Sequence, residues 1–208
     1  MTIAARRGAR WFGGHTNDRS GLWIGLLVSL LVATASPALA ADVAVRVRES
    51  NRSYRVEGTL RASAPVATAW AVLTDYERIG AFVSSVRSNV FVPAPDGRRV
   101  LRQDATAGVF PFRRELRVEL ALREEPRERI EFVDVLGRDF VHYSGSWTLR
   151  ADSAGTTVVY RLDAEPRVEM PGFVGRGFMS RGAGQLLAQV RAEILRRESG
   201  GSPDSNER

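Results

Sequence analysis

Apolar and polar residues alternate through most of the chain from residue 86 to residue 163, in short segments separated by turns. The clearest segment runs from Arg113 to Leu122, where every second residue from Leu116 onward is apolar. Period-two alternation is typical of a strand with one buried face. Several such strands in succession, with no helix between them, predict an antiparallel sheet whose apolar face needs a cover.

One long helical pattern follows the strands. Apolar residues recur at steps of three and four near the end of the chain, which places them in a single stripe on a helix. The stripe consists of Met179, Ala183, Leu186, Val190 and Ile194. Arg191, Arg196 and Arg197 suit the negative end of the helix dipole, and Gly200-Gly201 is predicted to end the helix. We expect this helix to be the cover of the sheet.

The segment before residue 86 predicts a hairpin and two short helices. Alternation over 43–48 and 54–61, with a polar turn between them, is typical of two paired strands. Ser63 is predicted to cap a first helix that tolerates Pro65 in its first turn. The S/T-x-x-E pattern of residues 74–77 predicts a capping box that opens a second short helix.

The later strands are expected at 86–92, 98–106, 113–122, 130–135, 140–150 and 156–163. Gly108 to Pro111 is predicted to break the chain. In the fifth of these strands, strict alternation turns Val141 and Tyr143 inward and leaves His142 at the surface. A β-bulge that inverts the register would instead turn His142 inward with Phe140.

These elements predict an α+β fold, in which a curved antiparallel sheet wraps around a long C-terminal helix and two short helices follow the first strands. One domain is expected over 41–198, followed by a disordered polar tail over 199–208. A sheet wrapped around one helix leaves space between the two, and such a space is a usual place for an apolar ligand.

The first 40 residues have the three parts of a secretory signal peptide. An apolar run from Leu22 to Ala35 is followed by the small-x-small pair Ala38 and Ala40. It is preceded by Arg6, Arg7, Arg10 and Arg19. The run is shorter than the roughly 20 residues of a spanning helix. We expect cleavage before Ala41 and a periplasmic or secreted protein; the alternative is an uncleaved helix anchored in the inner membrane.

Composition excludes several classes of chemistry. The chain has no cysteine, so thiol catalysis and thiolate metal sites are excluded. His142 is the one histidine after residue 40, which excludes histidine-rich metal sites. Without residues 1–40 the formal net charge falls from +6 to +3, too little to argue for nucleic acid. We expect no metal and no cofactor.

Three carboxylate pairs and two arginines are further candidate site residues. The carboxylate pairs Asp75/Glu77, Glu124/Glu125 and Asp134/Asp139 fall at helix caps or turns, where acids are common for structural reasons. Arg102 and Arg114 are candidates to turn inward and pair with an acid such as Asp104.

Glycines between residues 172 and 184 lack a strand-to-helix phosphate motif. They indicate flexibility where the last helix begins, and one hypothesis makes Phe173, Val174, Phe178 and Met179 a hinged lid.

The segment from Val66 to Val83, VATAWAVLTDYERIGAFV, resembles a recurring signature of the START/polyketide-cyclase (SRPBCC) superfamily. It is most similar to the coenzyme Q-binding branch, whose first helix carries a Trp, followed by Leu-Thr-Asp-Tyr and then by a Phe in the second helix. Further similarity lies in Gly137 to Phe140, Tyr143 to Trp147 and the closing helix. The likeness covers residues 43–197.

The resemblance implies a helix-grip fold with a deep apolar cavity under the last helix. Members bind quinones, sterols, phospholipids or polyketides, and some cyclise or dehydrate polyketides. The resemblance provides no shared catalytic residue, and none is predicted. A signal peptide and an extra leading strand pair depart from cytoplasmic members, which argues against a direct role in respiratory quinone biosynthesis.

The ligand cavity is expected to be lined by apolar and aromatic residues from both short helices, the strands and the last helix. The expected lining is Trp70, Phe82, Leu116, Val118, Phe132, Tyr143, Trp147, Tyr160, Phe178, Met179, Leu186 and Val190.

Three functions remain open. The first is an exported, monomeric, non-enzymatic carrier or sensor of an apolar molecule (a lipid, quinone or polyketide-like compound) that could also contact a membrane peripherally. The second is a cyclase- or hydrolase-like enzyme that uses His142, Tyr143 or Tyr160 as acid or base. The third is a protein-interaction module with a filled core.

Overall fold

A computed structural model describes residues 42–94, 97, 99–109, 112–168 and 172–201. The expected signal peptide and the end of the expected tail lie outside these residues. The elements in chain order are β1 Val43–Ser50, β2 Ser53–Ala62, α1 Val66–Leu73, a 3-10 helix Tyr76–Ala81, β3 Val86–Pro93, β4 Arg99–Val109, β5 Phe112–Glu125, β6 Arg129–Asp134, β7 Phe140–Asp152, β8 Gly155–Pro166 and α2 Gly172–Gly201.

All eight strands form one antiparallel sheet in the order β1-β2-β8-β7-β6-β5-β4-β3. The first hairpin therefore joins the sheet beside the last strand, and Tyr54 at the start of β2 pairs with Ala164 near the end of β8. With the long C-terminal helix, this arrangement confirms the predicted α+β helix-grip architecture.

Helix α2 lies along β2 for most of its length. Gly175 packs on the Tyr54 phenol, Leu187 packs on Gly58, and the Arg191 guanidinium donates to the Arg61 carbonyl at 2.7 Å. A side chain at position 58 would overlap Leu187, whose own side chain is fully buried. Glycine at this point lets the helix approach the strand closely.

The fully buried core fills the interface between α2 and this half of the sheet. Val56, Leu60 and Val158 meet Leu187 and Ile194 in a cluster in which none has any exposed surface. Ile194 belongs to the apolar stripe read from the sequence, whereas Leu187 lies beside that stripe. Close packing here fixes where the helix sits on the sheet.

The C-terminal part of α2 is held to α1 by an ion-pair cluster around a buried acid. Glu193 is 7% exposed and accepts hydrogen bonds from Arg196 and Arg197, all at 2.7 Å. Arg197 also donates to Asp75 at 2.7 Å and to the Ala71 carbonyl at 3.3 Å. These arginines therefore contact specific acids and a carbonyl in addition to lying near the negative end of the helix dipole.

Neither predicted side-chain cap forms. Helix α1 begins after Pro65, and no side chain, Ser63 included, caps it. The Thr74 hydroxyl donates to the Trp70 carbonyl at 2.9 Å, so it is not free to cap the next turn. The second short helix is a 3-10 helix beginning at Tyr76, and it too lacks a side-chain cap.

Two predicted strand ends are also wrong. Gly108 does not break the chain, because β4 runs on to Val109, with Gly108 paired to Arg113 of β5. Val135 does not prolong β6, because the Asp134 carboxylate accepts hydrogen bonds from the backbone N–H groups of Leu136 and Gly137 and turns the chain. Helix α2 continues to Gly201, past the expected domain end at 198.

No helix in the described part of the chain is both long and apolar enough to cross a membrane. Among the same residues, no group of three or more His, Asp or Glu side chains is placed to hold a metal ion.

We predict that Glu193→Gln lowers the free energy of unfolding by roughly 2 kcal/mol at neutral pH. This value lies between the cost of breaking an exposed ion pair and that of breaking a buried one. The hydrogen bond from Arg196 is the main cause that lowers the pKa of Glu193 to about 2. A carboxyl with a depressed pKa stabilises the fold above its unfolded-state value, and that stability is lost as the pH falls from about 4.5 toward 2.

Denaturant unfolding across this pH range provides the measurement. The matched control is Glu57→Gln, which removes an acid from an exposed pair with Arg161 and should change little. Equal losses in both variants would show that the Glu193 cluster does not hold α2 in place.

Candidate ligand site

Five aromatic rings from three neighbouring strands form one continuous surface, named here the aromatic wall: Phe132, Phe140, Tyr143, Trp147 and Tyr160. The Phe140 and Tyr143 ring centroids lie 4.7 Å apart, and those of Trp147 and Tyr160 lie 4.5 Å apart. Phe132 joins the two pairs, at 5.8 Å from Tyr143 and 6.4 Å from Tyr160. Rings at these separations attract one another beyond the burial of their area.

Gly145 makes the aromatic wall possible. It pairs with Phe132 across β6 and β7, and a side chain there would overlap the Phe132 ring and the Arg161 carbonyl. The ring can therefore lie flat across β7. Sequence analysis did not single out Gly145 as a site residue, although a glycine inside a strand often marks a close approach of another group.

A bulge at the start of β7 adds Phe140 to the wall. The register shifts between Phe140 and His142, so Phe140 is buried while Val141 is 54% exposed. The prediction that Val141 faces inward is therefore wrong. His142 is exposed, with its Nε2 2.9 Å from the Ser144 hydroxyl. The bulge turns Phe140 inward, as the alternative register required, but it leaves His142 at the surface.

Tyr143 and Tyr160 form a coupled pair of phenols within the wall. Burial raises the pKa of Tyr143 to about 12, and burial followed by its interactions with Tyr143 raises the pKa of Tyr160 well above its ordinary value. Both phenols therefore stay protonated at neutral pH, so their hydroxyl groups can donate hydrogen bonds.

Several of the expected lining side chains keep accessible surface. Tyr143 and Trp147 on the wall are only partly buried, as are Leu116 on β5 and Met179 and Leu186 on α2. The N-terminal half of α2 contacts β1 and β2, whereas the wall lies on β6, β7 and β8. The backbone of α2 therefore approaches β1 and β2 more closely than it approaches the strands of the wall.

The expected lining residues fall into three groups. Phe132, Tyr143, Trp147 and Tyr160 form the wall together with Phe140, and Val118 is buried beside them on β5. The residues of α2 are Phe178, Met179 and Leu186, which are partly buried, and Val190, which is 2% exposed. Trp70 is partly buried on α1, while Phe82 packs under the Arg197 guanidinium at 5.8 Å, beside the Glu193 cluster.

The carboxylate pairs have structural partners. Asp75 binds Arg197, and Glu124 accepts a hydrogen bond from the Tyr76 hydroxyl at 2.7 Å. Asp134 and Asp139 each accept from a backbone N–H of β5, at 2.9 and 2.8 Å. These partners give the four acids structural roles.

A polar recess of about 340 Å³ lies beside β3, β4 and β5. It is lined by Arg87, Ser88, Asp104, Ala105, Glu115, Leu116, Arg117 and Arg138. Arg117 donates to Asp104 at 2.5 Å and is the first cause that lowers the pKa of Asp104. Arg102 pairs with Glu119 instead, so the acid proposed for it is taken by another arginine. With its acids paired, the recess does not suit an apolar ligand.

The glycines before residue 185 are part of α2 rather than of a flexible segment ahead of it. The helix is continuous from Gly172, and Gly175 is held against the Tyr54 ring. Gly177, Gly182 and Gly184 have free space where a side chain would be. The lid hypothesis stays a prediction; Val174 is 45% exposed, and Phe178 and Met179 are partly buried.

Residues 62–191 match the family model described as polyketide cyclase / dehydrase and lipid transport. A search of curated protein sequences found no match.

Solved structures with the same fold include a lipid transfer protein and an aromatase/cyclase. The STAR-related lipid transfer protein of Xanthomonas axonopodis is 18% identical, with a TM-score of 0.58 over 74% of this chain and 94% of that one. Human STARD10 is 14% identical, with a TM-score of 0.60 over 77% and 72%. The Zhui aromatase/cyclase of Streptomyces sp. R1128 is 16% identical, with a TM-score of 0.55 over 75% and 99%. At these identities the similarity shows the fold.

We predict that Gly145→Ala destabilises the protein by roughly 1–3 kcal/mol, as overpacking of a filled site does. The added methyl group has no room beside the Phe132 ring and the Arg161 carbonyl. Gly184→Ala is the matched control, since its methyl group enters free space on a helix and should raise stability by up to about 1 kcal/mol. Thermal unfolding of both variants provides the measurement; a neutral Gly145→Ala would contradict close packing of the wall.

Proposed function

Because the chain belongs to the polyketide cyclase / dehydrase and lipid transport family, we propose that it binds an apolar small molecule between the aromatic wall and α2. The observation that carries this proposal is the accessible surface kept by Tyr143, Trp147 and Leu186, which face the interior of the fold. Side chains in a fully packed core have no accessible surface, and Leu187 and Ile194 are examples.

Binding is driven by burial and oriented by one polar contact. At about 25 cal/mol per Å², a ligand that buries roughly 300 Å² of apolar surface gains about 7 kcal/mol, which is comparable to the cost of association. An orienting hydrogen bond therefore matters for affinity. Tyr143 can provide it, because burial keeps its hydroxyl protonated and able to donate.

The ligand class follows from that donor. A compound with an apolar body and an acceptor oxygen, such as a quinone, a polyketide-like ketone or a lipid carbonyl, matches the Tyr143 hydroxyl and the rings around it. A pure hydrocarbon would leave the phenol proton without an acceptor. We therefore favour oxygenated apolar ligands, with quinones as the first class to test.

The second candidate is a cyclase- or dehydratase-like enzyme, in keeping with the family description. The raised pKa values of Tyr143 and Tyr160 keep both phenols protonated, so each can act as a hydrogen-bond donor or an acid but not as a base near neutral pH. His142 is exposed on the outer face and away from the wall. A carrier needs neither an acid nor a base, and it remains our first choice.

We also propose that the protein works as a monomer in the bacterial envelope. The support is the signal-like segment of residues 1–40, with its arginines, apolar run and small residues before Ala41.

One measurement tests location and cargo together. The full chain is produced in a bacterium that has a periplasm, purified from the envelope and weighed by native mass spectrometry. We expect the mass of a monomeric chain that begins at Ala41, with a fraction carrying an extractable quinone or lipid. Retention of residues 1–40 contradicts export with cleavage. If no fraction of the protein carries a bound molecule, the carrier proposal is contradicted.

The site itself is tested with a short-chain ubiquinone as the probe. We expect it to quench the fluorescence of Trp147 and Trp70, with affinity lowered about tenfold in Leu186→Phe, which adds a larger side chain from α2. Tyr143→Phe should weaken binding several-fold by removing the donor. Val90→Phe adds the same ring on the outer face of β3 and should leave quenching unchanged. Equal quenching in all four proteins would place the quinone elsewhere.

A further inference from the structure

Exposed apolar side chains collect at one end of the molecule. We name five of them the apolar rim: Val135, Leu136, Val141, Val168 and Val174. Their exposed fractions lie between 38% and 54%. The other large apolar side chains that are exposed in the described part of the chain, Val90 and Val133, lie on the outer faces of β3 and β6.

Backbone contacts place the rim residues at the same end. The Arg167 N–H donates to the Asp139 carbonyl at 3.0 Å, and its guanidinium donates to the Gly137 carbonyl at 2.9 Å. These bonds join the segment after β8 to the β6–β7 loop. Gly175 packs on Tyr54, which pairs with Ala164 near the end of β8, so α2 begins beside both segments.

Arginines surround the apolar rim. Arg114, Arg138 and Arg176 have side chains that are 55%, 53% and 58% exposed, and Arg167 is exposed as well. These four cations frame the end of the molecule where the five apolar residues project.

The acidic side chains near the apolar rim are either shielded from solvent or bonded to a neighbouring residue. The Asp139 side chain is 4% exposed and lies between Arg114 and Arg138, and that of Glu49, which pairs with Arg176, is 25% exposed. Glu165 is partly buried and accepts from the Ser53 hydroxyl at 3.4 Å. Glu115, an exposed acid on β5, is hydrogen-bonded to Arg87. The rim therefore presents apolar groups and positive charge together.

The opposite end of the sheet lacks exposed apolar side chains. Its turn at 126–128 carries charges of both signs, with Arg123, Arg127 and Arg129 beside Glu124, Glu125 and Glu128. No large apolar side chain of the described turns at 126–128 and 153–154 is exposed. The two ends thus differ in their exposed apolar surface.

We propose that the apolar rim docks on a bilayer surface that contains anionic lipid. The apolar side chains enter the boundary between headgroups and acyl chains, and the four arginines meet lipid phosphates. The partly buried Tyr143 and Met179 lie in the half of the molecule that ends at the rim, so docking would bring the ligand space close to the lipid. This proposal deepens the proposed function, although docking itself does not require a ligand.

The test uses protein that begins at Ala41, which retains every residue the structure describes, and phosphatidylcholine vesicles with or without phosphatidylglycerol. We expect flotation with the anionic vesicles alone, weakened by added salt. Leu136→Asp with Val141→Asp should reduce binding at least tenfold. Arg138→Gln with Arg176→Gln should reduce it about 25-fold, since each arginine near an anionic surface contributes about fivefold. Val90→Asp is the matched control and should bind as the parent protein does.

Three results would overturn the docking proposal. They are no binding to anionic vesicles, equal binding by the parent and the Leu136→Asp, Val141→Asp variant, or a dimer in light scattering that this variant abolishes. The last would make the rim a protein interface. Circular dichroism checks that each variant is folded. Ubiquinone quenching by the same variant separates the two proposals, because docking can fail while quenching persists. Conversely, Leu186→Phe should impair quenching without affecting flotation.

Discussion

The placement of α2 on one half of the sheet decides most of what this structure can do. Leu187 lies on Gly58, and the Glu193 cluster holds the far end of the helix to α1. Both contacts need close approach, which glycine allows in the first case and charge-assisted hydrogen bonds stabilise in the second. Once the helix is fixed along β2, the backbone of its N-terminal half lies closer to β1 and β2 than to β6 and β7. The proposed ligand space lies between that half and the aromatic wall.

The aromatic wall gives the proposed space its chemistry. Burial keeps Tyr143 and Tyr160 protonated, so their hydroxyl groups can donate hydrogen bonds. Gly145 lets the Phe132 ring lie across β7, beside the two phenols. An aromatic surface with protonated phenols suits an oxygenated apolar molecule better than it suits base-catalysed chemistry.

The periodicity of apolar residues in the sequence predicted the features that depend on burial alone. Alternation located the strands, and the spacing of Ala183, Val190 and Ile194 identified the buried face of α2, because those patterns reflect which side of an element is covered. Features that depend on competition between local hydrogen bonds were missed. Thr74 bonds back to its own helix, and the bulge before His142 changes which residues face inward. Close contacts of Gly58 and Gly145 appear only in three dimensions.

Crystallography with a heavy-atom ligand tests the central claim most directly. Crystals grown with a brominated alkyl quinone should show the anomalous bromine signal between the Trp147 ring and Leu186, with the quinone oxygen within hydrogen-bond distance of the Tyr143 hydroxyl. An interior in which these side chains touch, with bromine found only on the outer surface, would contradict the account.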